Sequence, residues 1–366
     1  MSDYLIVGGG LIGLLTARAL SEAGASVTVL ERGQFGQEAS WAGGGILSPL
    51  YPWKYPTAVN TLAQWSQPRY QELAQQIQQN SGIDVEWENS GLLMLDEDQI
   101  EPALAWVQAS GSNLTVVDAK EIQNIEPAAC TNQERGIWMP DVAQIRNPTL
   151  IKALLEELKN SGVNMATDTE VTHLLSRRGH VEGVRTEYSE IMADNTIIAC
   201  GAWSAKLLKE LGQELPVVPV RGQMILYKTK PGQLNRIVLK DGHYAIPRRD
   251  GRVLVGSTME DVGFDKDITD EAREELDATA KQLVPILANA SIERHWSGLR
   301  PGSPTGVPFI GPHPKMKGLF INAGHYRNGV VMAPASAQLM ADILLQRRPT
   351  AVDPEPYSLE GRLTAA

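Results

Sequence analysis

Cysteine is almost missing from this sequence: Cys130 and Cys200 are the only two in 366 residues. No metal-ligand spacing joins them, so no cysteine metal site is expected. Both thiols read as reduced and structural, which suits a cytoplasmic protein. No apolar run approaches the ~18 residues needed to cross a bilayer. Positive charge is also short. The 33 lysines and arginines face 43 acidic residues, a net charge of −10. That balance argues against nucleic acid or an anionic membrane as the main partner. Internal repeats and low-complexity linkers are lacking too. The first strand is entered by residue 4, so no cleavable leader is expected ahead of the fold. What is present is ordinary for a large globular chain, with 43% hydrophobic and 21% charged residues. That is enough for two domains, or for one carrying a substantial insertion.

The most informative stretch runs from Tyr4 to Arg32. Tyr4-Leu5-Ile6-Val7 has strand character and leads straight into Gly8-Gly9-Gly10. A helical pattern follows, with Leu11, Leu14, Leu15, Ala19 and Leu20 on one side, and Ser26 to Leu30 reads as a second strand. Gly8, Gly10 and Gly13 fit G-x-G-x-x-G. The first glycine permits the tight turn, the second lets backbone approach a pyrophosphate, and the third lets helix pack on strand. The helix N-terminus then offers free N–H groups to the phosphates. Glu31, at the end of the second strand, can accept hydrogen bonds from ribose hydroxyls. Within a βαβ unit this constellation marks a dinucleotide site, for NAD or FAD alike.

Further along, Gly43-Gly44-Gly45 follows Ala39 and Ser40, where the far half of a long cofactor would run close to the backbone. The aromatic run 50–55 reads as a packed loop or an oligomer contact rather than a lid. Val59 to Gln79 has a helical pattern. Trp87 to Asp96 looks like paired short strands around Asn89-Ser90-Gly91, and helices are expected near 98–110 and 118–125. Pro148 to Lys159 reads as a helix with Asn147 as N-cap. After strands near 163–165, 171–175, 184–186 and 196–199, Cys200-Gly201 opens a helix over 205–211. Five short strands between Val217 and Gly256, split by glycines, prolines and charges, argue for an antiparallel sheet. A helix near 269–283 follows. Gly318 to Asn322 is a strand and Ala323 to Gly329 a tight loop. The helix from Val330 tolerates Pro334 best within its first turn.

Three features favour a flavin over a nicotinamide. There is one complete glycine motif, an extended second contact at Gly43–Gly45, and a C-terminal helix N-terminus that would stabilise a reduced, anionic flavin. The resemblance becomes specific through Ile6 to Gly13, Cys200-Gly201-Ala202-Trp203-Ser204, His243 to Arg248, Gly298 to Gly302 and Gly324 to Gly329. On these stretches, which span nearly the whole length, the chain resembles the D-amino-acid-oxidase superfamily of flavoproteins, and within it the glycine oxidase branch.

The resemblance implies a doubly wound, Rossmann-like α/β FAD-binding domain (1–84, 143–216 and 301–366). It is interleaved with an antiparallel-sheet substrate domain (85–142 and 217–300). It implies non-covalent FAD, with a small amino acid or amine oxidised to an imine and on to the oxo acid and ammonia. Molecular oxygen would be the acceptor, giving hydrogen peroxide, in a homo-oligomer (dimer or tetramer) serving the thiazole branch of thiamine biosynthesis. A dehydrogenase passing electrons to a quinone or carrier is the alternative. FAD contacts would fall on Gly8, Gly10, Leu11, Ile12, Gly13, Glu31, Arg32, Ala39, Ser40, Gly44, Gly45, Ile46 and Val171. They would continue at His325, Tyr326, Arg327, Asn328, Gly329, Val330 and Val331. Substrate would meet Arg300, Arg327 and Tyr244. The segment Leu50 to Tyr55 is more aromatic than in the family, which bears on the pocket entrance.

Arginines beside sheets commonly pair with a carboxylate. At a Leu-Arg-Pro-Gly turn in a flavin protein, Arg300 is instead expected to grip the substrate carboxylate with its planar fork. Arg327 stands between a substrate role and a cofactor or structural one. Met259 belongs to the pocket or the core. His325 is expected to contact flavin rather than act as a base, because hydride transfer from Cα of a neutral amine needs none. No acid or base residue and no metal ligand is expected.

Overall fold

The computed structural model describes residues 2–130 and 132–365. The N-terminal strand (Ser2–Val7) lies inside an eight-stranded sheet, parallel to Val27–Leu30 on one side and to Glu190–Ile198 on the other. In space this sheet runs Phe309–Pro312, Leu319–Ala323, Glu190–Ile198, Ser2–Val7, Val27–Leu30 and Asn164–Ala166. A hairpin, Val171–Arg177 and His180–Thr186, branches from the Glu190–Ile198 strand. The apolar runs Leu5-Ile6-Val7 and Val27 to Leu30 reflect burial on both faces. Ile6, Val29 and Ile197 pack beneath helices Leu11–Glu22, Asn147–Asn160 and Gly329–Leu344. Leu5, Val7, Leu30 and Ile198 face the branching hairpin and the short helix Ser204–Lys209.

A second eight-stranded sheet takes its strands from segments that interrupt the first. Its order is Ser291–Gly302, Val218–Lys228, Arg252–Gly256, His243–Pro247, Ile237–Lys240, Leu92–Met94, Arg135–Met139 and Thr115–Asp118. Every pairing is antiparallel except Ile237–Lys240 with Leu92–Met94. The second sheet packs closely against the segment following the Val27–Leu30 strand at Gly298. A Cβ there would lie 2.5 Å from Ala42 of the helical turn Ala39–Ala42, so glycine permits the close approach.

Local expectations fail where distant partners intervene. The helix expected over 59–79 is two helices, Thr57–Ser66 and Tyr70–Ser81, split by a tight turn holding Pro68, which has no N–H to continue the ladder. The pair of strands expected around Asn89-Ser90-Gly91 does not form. Gly91 donates its N–H to Val142 and sits where a Cβ would strike the Trp138 ring, and only Leu92–Met94 is a strand. Asn147 is the first helical residue rather than the cap, because its amide donates to the Gly43 carbonyl. Pro334 lies beyond the first turn of Gly329–Leu344. It leaves the Val330 carbonyl without its helical donor, and the Tyr70 hydroxyl donates to that oxygen. Ser66 Oγ takes the next N–H, from Ala335, at 3.1 Å. The aromatic segment is packed. Tyr51 donates to Asp96 at 2.8 Å and accepts from the Gly242 N–H at 2.9 Å, while Trp53 donates to Gln99.

Candidate active site

The turn after the first strand builds one end of the site. Gly8 has φ +111°, and a Cβ on it would sit 2.4 Å from the Ala199 carbonyl. A Cβ on Gly13 would lie 2.0 Å from the Gly8 carbonyl, so the helix rests directly on the turn. The helix has no side-chain cap of its own. Ser40 Oγ, from a separate segment, accepts the Leu11 N–H at 2.8 Å. The next N–H groups of that first turn are the ones a pyrophosphate would take. Glu31 accepts from the N–H groups of Gly9 (2.8 Å) and Gly33 (3.1 Å). Both its oxygens are thereby oriented, each with a lone pair left for a ribose hydroxyl. Arg32 pairs with Glu38 at 2.8 Å and stacks 3.8 Å from the centre of the Trp203 ring.

From this end a cavity of about 550 Å³ runs to the second sheet. It is lined by Gly8, Gly10, Leu11, Ile12, Glu31, Arg32, Ala39, Ser40, Gly44, Gly45, Ile46, Val171, His325, Tyr326, Arg327, Gly329 and Val330, and at the far end by Tyr244 and Arg300. Three residues expected at the cofactor do not line it. Gly13 serves packing, Val331 is in the core, and Asn328 is buried behind the loop. The Gly43–Gly45 loop is held from the second sheet: Arg248 donates to the carbonyls of Gly44 (2.7 Å) and Ile145 (3.3 Å) and to Gln144 Oε1 (2.8 Å). Burial pushes the Arg248 pKa down to about 10, with Arg146 adding to it. Arg248 closes the His243 to Arg248 stretch, yet its grip on a loop 204 residues away is not visible in sequence.

Arg300 lies within the long strand Ser291–Gly302 rather than at a turn. Its Nη2 donates to Ser257 Oγ at 2.6 Å and its Nη1 to the Thr258 carbonyl at 3.1 Å. Among the described residues no carboxylate lies within ion-pair distance of it. Burial lowers its pKa by desolvation, and the nearby Arg327 charge adds to this. The neighbouring Arg221, pointing to the opposite sheet face, is the arginine that pairs with acids, Glu260 and Asp265. Tyr244 is 7% exposed and packs its ring against Gly44 and Gly256. Met259 is neither core nor a lining residue of this cavity; it is 56% exposed near the Tyr326 hydroxyl. Leu50 and Trp203 line the site as well, and so does Ser257, which no local signal in the sequence marks. Cys200 lines it too, its thiol donating to the Val7 carbonyl at 3.1 Å and pushed up to about 12 by burial, which makes it inert.

His325 is 2% exposed and within hydrogen-bond distance of Ser336 Oγ at 3.0 Å. Burial pushes its pKa down to about 3 from an ordinary 6.5, so it is neutral in the native state and no proton shuttle near neutrality. Between those values the unfolded chain binds a proton that the native state does not. Stability from this residue is therefore full above pH 6.5 and is lost as pH falls. The expected loss is about 1.4 kcal/mol per pH unit below that point. His325→Gln should flatten the acid side of the stability profile measured by urea unfolding. An unchanged acid slope would mean that His325 accepts a proton in the folded protein.

A glycine turn under a helix, a carboxylate oriented at the end of the second strand and a second helix N-terminus at Gly329 define a dinucleotide-dependent oxidoreductase, with an acid-free arginine at the far end of its cavity. A family model described as FAD dependent oxidoreductase matches residues 3–343. The glycine oxidase of Pseudomonas aeruginosa is 50% identical over 360 residues, 98% of this chain and 99% of that protein. The bifunctional protein ThiO/ThiG of Synechocystis is 34% identical over 95% of this chain and 52% of its own length. The crystal structure of glycine oxidase from Geobacillus kaustophilus matches with a TM-score of 0.91 at 30% identity, over 98% of each chain. The chain belongs to the FAD-dependent oxidoreductase family and is an FAD-dependent amino-acid oxidase by class. The residues fit FAD: the two helix ends bracket the cavity, and Glu31 lines it with both carboxylate oxygens oriented.

Proposed function

We propose that this protein oxidises glycine, or a comparably small amino acid, to the oxo acid, ammonia and hydrogen peroxide. The observation that carries this reading is Arg300, a guanidinium with no acidic partner among the described residues, facing the cavity that holds the dinucleotide motif. A carboxylate-bearing substrate supplies the missing charge, and the planar fork grips it bidentately. Tyr244, Leu50 and Ile46 line the cavity beside Arg300 with apolar surface, which supports a small substrate over a polar-chain one. The names of the relatives above point the same way, and the fused Synechocystis relative supports a place in the thiazole branch of thiamine synthesis.

The holders of FAD would be the Gly8–Ile12 turn at the pyrophosphate, Glu31 at the ribose and Ser40 beside the phosphates. The Gly44–Ile46 backbone and the Gly329 helix end would hold the ring system. When bound, FAD supplies the two-electron oxidation of the Cα–N unit, with dioxygen as the final acceptor. This chain's own work is placement. Arg300 and Tyr244 fix the carboxylate, so that the Cα hydrogen has one orientation, and alignment of this kind carries much of the rate. Arg327 adds a second positive charge near the same carboxylate. The neutral His325 leaves proton removal from the ammonium to solvent.

Purified holoprotein in air, given glycine, sarcosine and small D-amino acids, is expected to release peroxide fastest with one of the smallest. Bleaching of the flavin by substrate under nitrogen without peroxide in air would instead mark a dehydrogenase. No bleaching at all would end the enzymatic reading. Acid precipitation should release all the flavin, since Cys130 lies in another core and Cys200 is an inert thiol. Flavin left in the pellet would show a covalent link.

A further inference from the structure

We propose that Gly222 and Ser257 are positioning residues for carboxylate binding: together they fix the plane of the Arg300 guanidinium. This rests on the substrate-gripping role of Arg300 given above. The register of the second sheet puts Val220 opposite Arg300 and Gly222 opposite Gly298. Side chains two residues apart share a face, so Gly222 is the diagonal same-face neighbour of Arg300, within reach of a long side chain. The arginine lies directly over that glycine. A Cβ on Gly222 would sit 2.0 Å from Arg300 Nη1 and 2.3 Å from both Cζ and Nη2. The guanidinium thus occupies the volume of a missing side chain. Ser257 Oγ at 2.6 Å and the Thr258 carbonyl at 3.1 Å hold its edge.

Three constraints, one floor and two acceptors, leave the planar fork a single orientation. Two hydrogen bonds alone would not do so, because the long side chain could tilt about them. The clash in a Gly222 variant falls on the mobile end of the arginine rather than on backbone. Gly222 has no positive φ and lies in a regular pairing, so a methyl group there leaves the sheet intact and displaces only the guanidinium. The cost is therefore selective: carboxylate recognition falls while fold and cofactor content stay.

The test is titration of the holoprotein with acetate, followed through the flavin absorbance, with steady-state kinetics alongside. Gly222→Ala is expected to weaken acetate at least about tenfold and to raise KM in step, with normal flavin content. In the Arg300→Ala background the same change is expected to do nothing further, because the group it displaces is gone. Normal acetate affinity in Gly222→Ala overturns the proposal. So does an equal loss in the Arg300→Ala background, which would mark a general effect on the sheet. Should Gly222→Ala yield no holoprotein, Ser257→Ala decides: acetate several-fold weaker supports the clamp, and unchanged affinity overturns it. If Arg300→Ala itself binds acetate normally, the substrate role of Arg300 fails. If only the Gly222 and Ser257 variants are silent, that role stands and the positioning claim alone falls.

Discussion

Arg300→Ala is expected to lower kcat/KM on the order of 10²–10³-fold or more. Removing one partner of a buried, hydrogen-bonded charge pair costs roughly 3–5 kcal/mol, because the other charge is left desolvated and alone. Here the charge left alone belongs to the substrate carboxylate. The effect should exceed that of an exposed ion pair for a reason visible in the fold. Arg300 sits on the inner face of the second sheet, lowered in pKa by desolvation, and among the described residues it donates to the Ser257 hydroxyl and the Thr258 carbonyl and pairs with no carboxylate. Neither partner neutralises it, so its charge is available to a ligand. Arg300→Lys should recover part of the loss, since an ammonium restores charge without the bidentate fork. Small carboxylate inhibitors should weaken in parallel with substrate. Flavin content and spectrum should hold, because the glycine turn that would take the cofactor's phosphates lies at the opposite end of the cavity. Near-normal efficiency and inhibitor affinity in the alanine variant would transfer the role to Arg327.

The contrast between Arg300 and its supports explains how far the sequence could be read. Gly8, Gly13 and Glu31 were legible because their chemistry is local. A turn, a helix start and a strand end lie within one short stretch, and the glycine spacing states the geometry. Arg300 stands out by type, since an arginine near a Pro-Gly pair in such a chain suits a carboxylate, and the structure brings it to the cavity, though from within a strand rather than a turn. Its floor does not stand out. Gly222 becomes meaningful only through the antiparallel register that sets it diagonally beneath the arginine, and register between remote strands is not written in either segment alone. The same holds for Ser40 capping Leu11 from 29 residues away and for Arg248 holding Gly44 across 204. Pro334 shows the converse: a rule of local propensity placed it in the first turn, yet Tyr70 and Ser66 supply what the broken ladder lacks, so it sits deeper.

Gly13→Leu is expected to yield apoprotein or insoluble protein. The argument begins with a single contact: a Cβ on Gly13 would lie 2.0 Å from the Gly8 carbonyl oxygen and 3.3 Å from Ile6. The atom it meets first is backbone, so no side chain can swing aside to relieve it. Either the helix Leu11–Glu22 lifts from the strand or the Gly8 turn shifts. Gly8 cannot shift alone, since its N–H donates to the Leu30 carbonyl at 2.8 Å and a Cβ on it would already sit 2.4 Å from the Ala199 carbonyl. Lifting the helix withdraws the N–H groups that a pyrophosphate would take. It also strips contacts from Leu14, Leu15 and Leu20, all within the larger core. Overpacking of this sort costs typically 1–3 kcal/mol in stability, and more where backbone must move. Gly13→Ala, which adds the first offending carbon and nothing else, should fold but hold FAD more weakly. Flavin fluorescence on titrating apoprotein measures that affinity directly, without any need for turnover. The expected order is wild type tightest, alanine weaker, leucine without measurable binding. Full flavin content in soluble Gly13→Leu would show that the helix has room the contact distances deny.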